Sequence, residues 1–138
     1  MIAMRSFIDT NILVYTDNNG APDKQAKAQA LLEDLAKQEQ GVISTQVLQE
    51  YFAATTRKLK TKPGIARQKV EIFASMDILP ITVDLILGAI DVQQLHRLSF
   101  WDALIVQAAL FSQCRVLYSE DMNAGQNIRG LKIVNPFA

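Results

Sequence analysis

Short apolar runs alternate with longer amphipathic ones along this chain. "SFI" at 6–8 is the first apolar run and ends at Asp9; "VIS" at 42–44, "ILPI" at 78–81, "RVLYS" at 115–119 and "LKIV" at 131–134 follow. Each predicts a short strand, and the proline in "ILPI" favours a sheet edge or a strand end. The stretches between them carry helical spacing. Asp23 can cap a helix through about Gln38, with Gly41 as its stop, and another helix runs from about Thr45 to Lys58. "TKPG" at 61–64 is a turn before a helix over Ile65–Ala74; Thr82 caps a helix to Leu95, and Ser99 starts one more. Strands separated by helices predict an α/β fold. The expected architecture is a three-layer α/β/α sandwich around a mainly parallel sheet of about five strands, with residues 1–138 as one domain.

One segment breaks the apolar pattern. In "SFWDALIVQAAL", 99–110, Asp102 stands among Trp101, Leu104, Ile105, Val106 and Ala109 with no basic residue within a helical turn. A structural reading exists, because Ser99-x-x-Asp102 has the form of a capping box. A functional reading comes from topology. Open parallel sheets bind ligands at the carboxyl ends of their strands, where the first turns of the returning helices also lie. Asp9 directly follows the first strand, Asp121 follows "RVLYS" by two residues, Glu50 is in the second turn after "VIS", and Asp102 is in the first turn of its helix. Direction alone assigns all four acids to one rim.

Capping and turn roles for the three aspartates and a solvated helix position for Glu50 account for each acid singly, but not for four on one edge. Ionised carboxylates brought close repel, so either protons stay on or a cation binds. Oxygen ligands without His or Cys suit Mg²⁺ or Mn²⁺ better than zinc. Such an ion activates water and neutralises phosphate charge, which suits phosphodiester hydrolysis.

Composition narrows the partners. The 14 basic and 14 acidic residues cancel, so a nucleic-acid site needs a local basic patch. "RKLKTKPGIARQK", 57–69, supplies six basic residues and no acid. Arg57, Lys58, Lys60 and Lys62 are therefore candidates for contact with RNA or an acidic partner, and Arg57 shares its helix face with Glu50. The lone cysteine, Cys114, reads as a buried hydrophobe in a reducing, cytoplasmic setting. "MIAMRSFIDTN" is too short and too soon charged for a signal peptide, and no apolar run is long enough to span a bilayer. His96 reads as a helix-end residue, and Trp101, Phe52 and Phe111 as core. No GxGxxG or Walker loop is present.

Taken together, "FIDTNILVY", "STQVLQEYF", "LSFWDALIVQAAL", "VLYSEDMNAGQ" and the closing "LKIVNPF" resemble a PIN domain over essentially the whole chain. Its small size further resembles the VapC-type toxins of toxin–antitoxin pairs. The resemblance implies an Mg²⁺- or Mn²⁺-dependent endoribonuclease whose metal-binding and catalytic acids are Asp9, Glu50, Asp102 and Asp121. It implies supporting roles for Asn11 and Ser119, an RNA substrate, a homodimer, and a cognate antitoxin reaching into the groove. Either Glu120 or Asp121 can face the metal; place in the motif favours Asp121.

Two alternatives make different predictions. A non-catalytic module would bind RNA or protein without metal-dependent cutting. A receiver-type phosphoacceptor would need an early acidic pair and a lysine just after a late strand; "IDTN" offers a single acid, and Lys132 begins the last strand.

Overall fold

The chain folds around a sheet whose strands are two to four residues long. A computed structural model describes residues 4–138. In chain order the elements are β1 (Ser6–Ile8), α1 (Thr10–Tyr15), α2 (Pro22–Gln38), β2 (Gly41–Ser44), α3 (Thr45–Lys58) and α4 (Pro63–Phe73). They continue as β3 (Asp77–Leu79), α5 (Val83–His96), α6 (Phe100–Phe111), β4 (Val116–Tyr118), β5 (Asn127–Ile128) and β6 (Leu131–Val134). β1 to β4 and β6 are parallel, and β5 pairs antiparallel with β6 alone. The mainly parallel α/β architecture is the expected one.

Chain order on the sheet reverses once. β2 and β3 lie on one side of β1, β4 and β6 on the other. Right-handed crossovers therefore put α1–α4 over one face and α5–α6 over the opposite face. α3 packs on α1 and α4, and α5 packs on α6, in keeping with that division. Phe7 and Ile8, covered from both sides, are fully buried, as expected of a central parallel strand. The cleft between β1 and β4 is the switch point of the sheet, where ligands of such folds bind.

Several local features depart from the expected ones. α1 directly follows β1, with Asp9 as its N-cap, in a stretch where the six apolar and polar letters of "TNILVY" are too few to show a period. β5 forms a hairpin with β6 through Arg129 and Gly130, at φ 52° and 91°. Two successive positive φ values are what a twisted two-residue hairpin requires. β3 spans 77–79 and stops before Pro80, which has no N–H to continue the ladder.

α2 begins with Pro22 at its first turn and ends on Glu39, itself left-handed at φ 54°. Gly41 is not the helix stop but the first residue of β2. A Cβ there would lie 2.7 Å from Met76 Cε and 3.4 Å from Leu35 Cβ, so a larger residue would require the flexible Met76 side chain to shift.

The three aromatics read as core are not buried. Trp101 is 61% exposed, Phe111 63% and Phe52 38%. α6 fills its buried positions with Ala103, Leu104, Ile105, Val106, Ala108 and Ala109, and Trp101 and Phe111, near its two ends, are not among them. On α3 the buried face is Val47, Tyr51 and Thr55, and Phe52 sits outside it in a shallow groove with Leu48 and Val70. Cys114 is buried just before β4, and burial pushes its thiol up to about 12. Among the described residues no helix is long and apolar enough to cross a membrane.

Candidate active site

Four elements deliver carboxylates to one cleft. Asp9 ends β1 and caps α1, where its Oδ1 accepts from the Thr10 N–H at 2.7 Å. Ser44 caps α3 by accepting from the Val47 N–H, which starts the helix that carries Glu50. Ser99 caps α6 by accepting from the Asp102 N–H at 3.1 Å. α6 ends just before β4, so its first turn lies at the carboxyl edge of the sheet. Asp121 follows β4 in the loop. Asp9, Glu50, Asp102 and Asp121 line a common cleft of about 580 Å³, together with Thr10, Asn11, Tyr15, Arg57, Lys58 and Glu120.

Only half of the capping box forms at α6. Ser99 accepts from the Asp102 amide, while among the described residues the Asp102 carboxylate accepts nothing from the Ser99 amide. The side chain lines the cleft instead. Asp102 thus has two roles, its backbone N–H donating to the Ser99 cap and its carboxylate facing the cleft.

Electrostatics follow from the crowding. Asp9 is 6% exposed, and burial raises its carboxyl from 3.8 to about 6. The Ser119 and Thr10 hydrogen bonds oppose that rise, and the charges of Asp102 and Glu50 add to it. Asp102 is also raised, chiefly by burial; the Ser99 hydroxyl opposes this and the Asp121 charge reinforces it. None of the four acids is ion-paired among the described residues.

The supporting residues have specific partners. Ser119 is fully buried, and its hydroxyl donates to Asp9 Oδ2 at 2.8 Å. Asn11 Nδ2 donates to Asp121 Oδ2 at 2.9 Å, and Asn11 Oδ1 accepts from the Glu120 N–H at 3.4 Å. That second bond orients the loop. Glu120 is turned away from the other acids: Lys24 Nζ lies 2.5 Å from its Oε2, and the Tyr15 hydroxyl donates to its Oε1 at 2.7 Å. Burial alone would raise Glu120, but Lys24 and Tyr15 together outweigh it and hold the carboxyl below its ordinary range. Asp121, the acid that place in the motif favours, carries no such counter-ion.

The basic stretch divides. Arg57 and Lys58 line the cleft, whereas Lys60 and Lys62 are exposed outside its lining. Farther on, Arg67 pairs with Glu71 at 2.5 Å and Lys69 with Asp17 at 3.2 Å. Lys132 is in register with Val116 at the start of β4, whereas Ile8, just before Asp9, is in register with Tyr118 at its end. The lysine is therefore at the edge away from Asp9, and the geometry of a receiver-type phosphoacceptor is absent.

Thr10, Gln46 and Lys24 touch the acids without having been singled out in the sequence. Thr10 adjoins Asp9, and Gln46 precedes Glu50 by one helical turn, a spacing that places side chains together. Nothing in the sequence links Lys24 to Glu120, 96 positions away.

The donor set is oxygen only. Among the described residues no three His, Cys, Asp or Glu side chains are arranged to hold a metal ion directly as they stand. The donor chemistry nonetheless fits Mg²⁺, which binds through one or two carboxylates and retains several waters. A roomy cleft with unpaired, mutually repelling carboxylates is the setting such an ion neutralises.

The PIN-domain family model matches residues 6–126. Among curated proteins none matches the chain significantly. A toxin–antitoxin complex from Klebsiella pneumoniae superposes with TM-score 0.70 at 21% identity, covering 95% of this chain and 97% of that one. VapC20 of Mycobacterium tuberculosis, described as a sarcin–ricin loop cleaving toxin, superposes at 0.70 and 21% identity over 84% and 89% of the two chains. VapBC2 of Rickettsia felis, bound to a DNA fragment from its promoter, gives 0.68 and 23% over 93% and 96%. At these identities the likeness is one of fold. The family model spans the chain from β1 to the loop beyond β4 and takes in all four acids, and on that ground the chain belongs to the PIN-domain family.

Proposed function

We propose that this chain is a divalent-metal-dependent endoribonuclease, acting as the toxin of a toxin–antitoxin pair. The observation that carries the reading is the cleft itself: four carboxylates from four separate elements face one space, none neutralised by a base, with Asp9 raised to about 6. Asp9, Asp102 and Asp121 would hold Mg²⁺ or Mn²⁺, directly or through water. Glu50 would complete the cage or orient the attacking water. The bound ion supplies Lewis-acid polarisation of the scissile phosphate and a water of lowered pKa.

The protein's own contribution is placement. Ser119 and Thr10 hold Asp9 through hydrogen bonds that favour its carboxylate form, so the acid is ready to meet a cation despite its burial. Asn11 holds Asp121 across the cleft. Arg57 and Lys58 offer positive charge at the rim for a phosphate backbone, while Lys24 neutralises Glu120 and limits the negative field the RNA must approach.

The M. tuberculosis neighbour, described as cleaving the sarcin–ricin loop, supports RNA as the substrate. The K. pneumoniae neighbour is a toxin–antitoxin complex, which supports an antitoxin as partner. A homodimer is part of the reading. Val83, Ile86, Leu87 and Ile90 form an exposed apolar stripe on α5, opposite the Leu85, Ala89 and Val92 face that packs inward. So is a single domain in a reducing cytoplasm, with Cys114 free and buried.

The test is incubation of the purified chain with total cellular RNA, with Mg²⁺ and with excess chelator, mapping the ends produced. Discrete ends that vanish with chelator support the reading. Cutting that ignores chelator overturns it, and RNA binding without cutting favours the non-catalytic module.

A further inference from the structure

Gln46 is 4% exposed, a rare place for an amide on a helix that is otherwise half solvated. A buried amide is costly unless its polar atoms are hydrogen-bonded, so its partners matter. Its Nε2 donates to Glu50 Oε2 at 3.3 Å and to the Trp101 carbonyl oxygen at 3.2 Å. Trp101 immediately precedes Asp102 in the first turn of α6. The other Glu50 oxygen, Oε1, accepts from the Thr10 hydroxyl at 2.7 Å, and the Thr10 N–H donates to Asp9. Glu50 is thus held at both oxygens by neutral donors, one leading to α6 and one to the end of β1. A carboxylate has about four lone-pair sites, so capacity remains for the cleft.

Gln46 Oε1 is buried and has no hydrogen-bond partner among the described residues. Exchanging the amide oxygen and nitrogen would set the oxygen against the Trp101 carbonyl and the Glu50 carboxylate, so the two acceptors fix the orientation. An apolar side chain of equal length would fill the space and leave no orphan acceptor. The orphan is therefore a cost borne for the donor side.

We propose that Gln46 is a positioning residue, tying the Glu50 carboxylate to the first turn of α6 and so setting the spacing between Glu50 and Asp102 across the cleft. Its consequence for chemistry rests on the metal-dependent reading above. Groups that orient metal ligands commonly change metal affinity or activity about 10–100-fold when removed.

The test is a double-mutant cycle with Gln46→Met, Glu50→Gln and both together in the full chain. Mn²⁺ binding to the metal-free protein is measured by calorimetry, and RNA cleavage in parallel. Gln46→Met keeps the bulk and removes both donations. The expected result is Mn²⁺ affinity weakened on the order of tenfold, an unchanged KM for RNA, and no further loss on the Glu50→Gln background. Gln49→Met, on the exposed face of the same helix, leaves the affinity unaltered. Equal losses in both backgrounds, or wild-type affinity in Gln46→Met, overturn the proposal.

A second measurement does not require Gln46→Met to fold. Glu50→Gln shifts the side-chain amide resonances of Gln46 in the metal-free protein, and unmoved resonances overturn the proposal. A wild-type chain that binds Mn²⁺ but cuts no RNA removes the nuclease reading alone, and the calorimetric cycle still decides the role of Gln46.

Discussion

Ser119 donates its hydroxyl hydrogen to Asp9 at 2.8 Å, across 110 positions of chain, and so joins the ends of the two strands that flank the switch point of the sheet. The bond favours the ionised form of a carboxyl that burial otherwise disfavours. In Ser119→Ala the Asp9 carboxyl therefore titrates higher than about 6, by about one pH unit given the usual strength of a bond to a charged group. The acid limb of the pH–cleavage profile moves up in the same direction. Side-chain carbonyl NMR of Asp9 in metal-free protein checks the first statement, and cleavage rates between pH 5 and pH 8 the second.

Asp9→Asn abolishes cleavage and stabilises the metal-free protein. The sign follows from the raised carboxyl. Below 3.8 the acid is protonated in both folded and unfolded chains, and the substitution changes little. Between 3.8 and about 6 the unfolded chain releases its proton before the folded one, so stability falls as pH rises, and above about 6 the full cost is present. A displacement of that size corresponds to roughly 2–3 kcal/mol. Denaturant titrations at pH 4 and pH 7.5 should show the gain only at the higher pH. A variant with full Mg²⁺-dependent activity contradicts the assignment of Asp9.

Ser99→Ala and Asp102→Asn separate the two roles of the α6 N-terminus. Loss of the Ser99 cap costs about 1 kcal/mol and leaves cleavage within a few-fold of wild type. Asp102→Asn keeps the backbone N–H that the cap uses and removes a carboxyl that burial disfavours, so at neutral pH the thermal midpoint does not fall while cleavage disappears. The reverse pattern would return Asp102 to a purely structural role.

Arg57 and Lys58 line the cleft, whereas Lys60 and Lys62 do not. Arg57→Ala and Lys58→Ala should each raise KM for RNA and flatten its salt dependence, by about 0.7 in the log–log slope for each lost phosphate contact to a single strand. Lys60→Ala and Lys62→Ala leave the slope unchanged. Equal effects from all four would mean a diffuse field instead of a defined backbone contact.

We propose that the exposed apolar stripe on α5 is the contact face of a homodimer. Leu87, 55% exposed, is a residue whose replacement by glutamate cannot be tolerated in a self-packed helix face. Leu87→Glu should convert a dimer into a monomer in light scattering without loss of helical content. A wild-type chain that is already monomeric at micromolar concentration would remove the dimer from the reading.

Much of this molecule could be read from the order of its residues. Apolar periodicity and caps located the five parallel strands within a residue or two, the caps Thr82 and Ser99, and the helices that follow each turn. Strand and helix direction then sent Asp9, Glu50, Asp102 and Asp121 to one edge, because the end of an element at which a residue sits is a one-dimensional property. What lies opposite that residue is not. Which of Glu120 and Asp121 is left without a counter-ion depends on Lys24, which reaches Glu120 from α2, and on Asn11, which holds the same loop from α1. Trp101 and Phe111 look like core letters, yet they end exposed because Ala103 to Val106, Ala108 and Ala109 take the buried positions of α6. Sequence pattern reports how a side chain points relative to its own element, whereas partners, depth and charge balance depend on distances between elements far apart in the chain, and only the packed tertiary structure sets those.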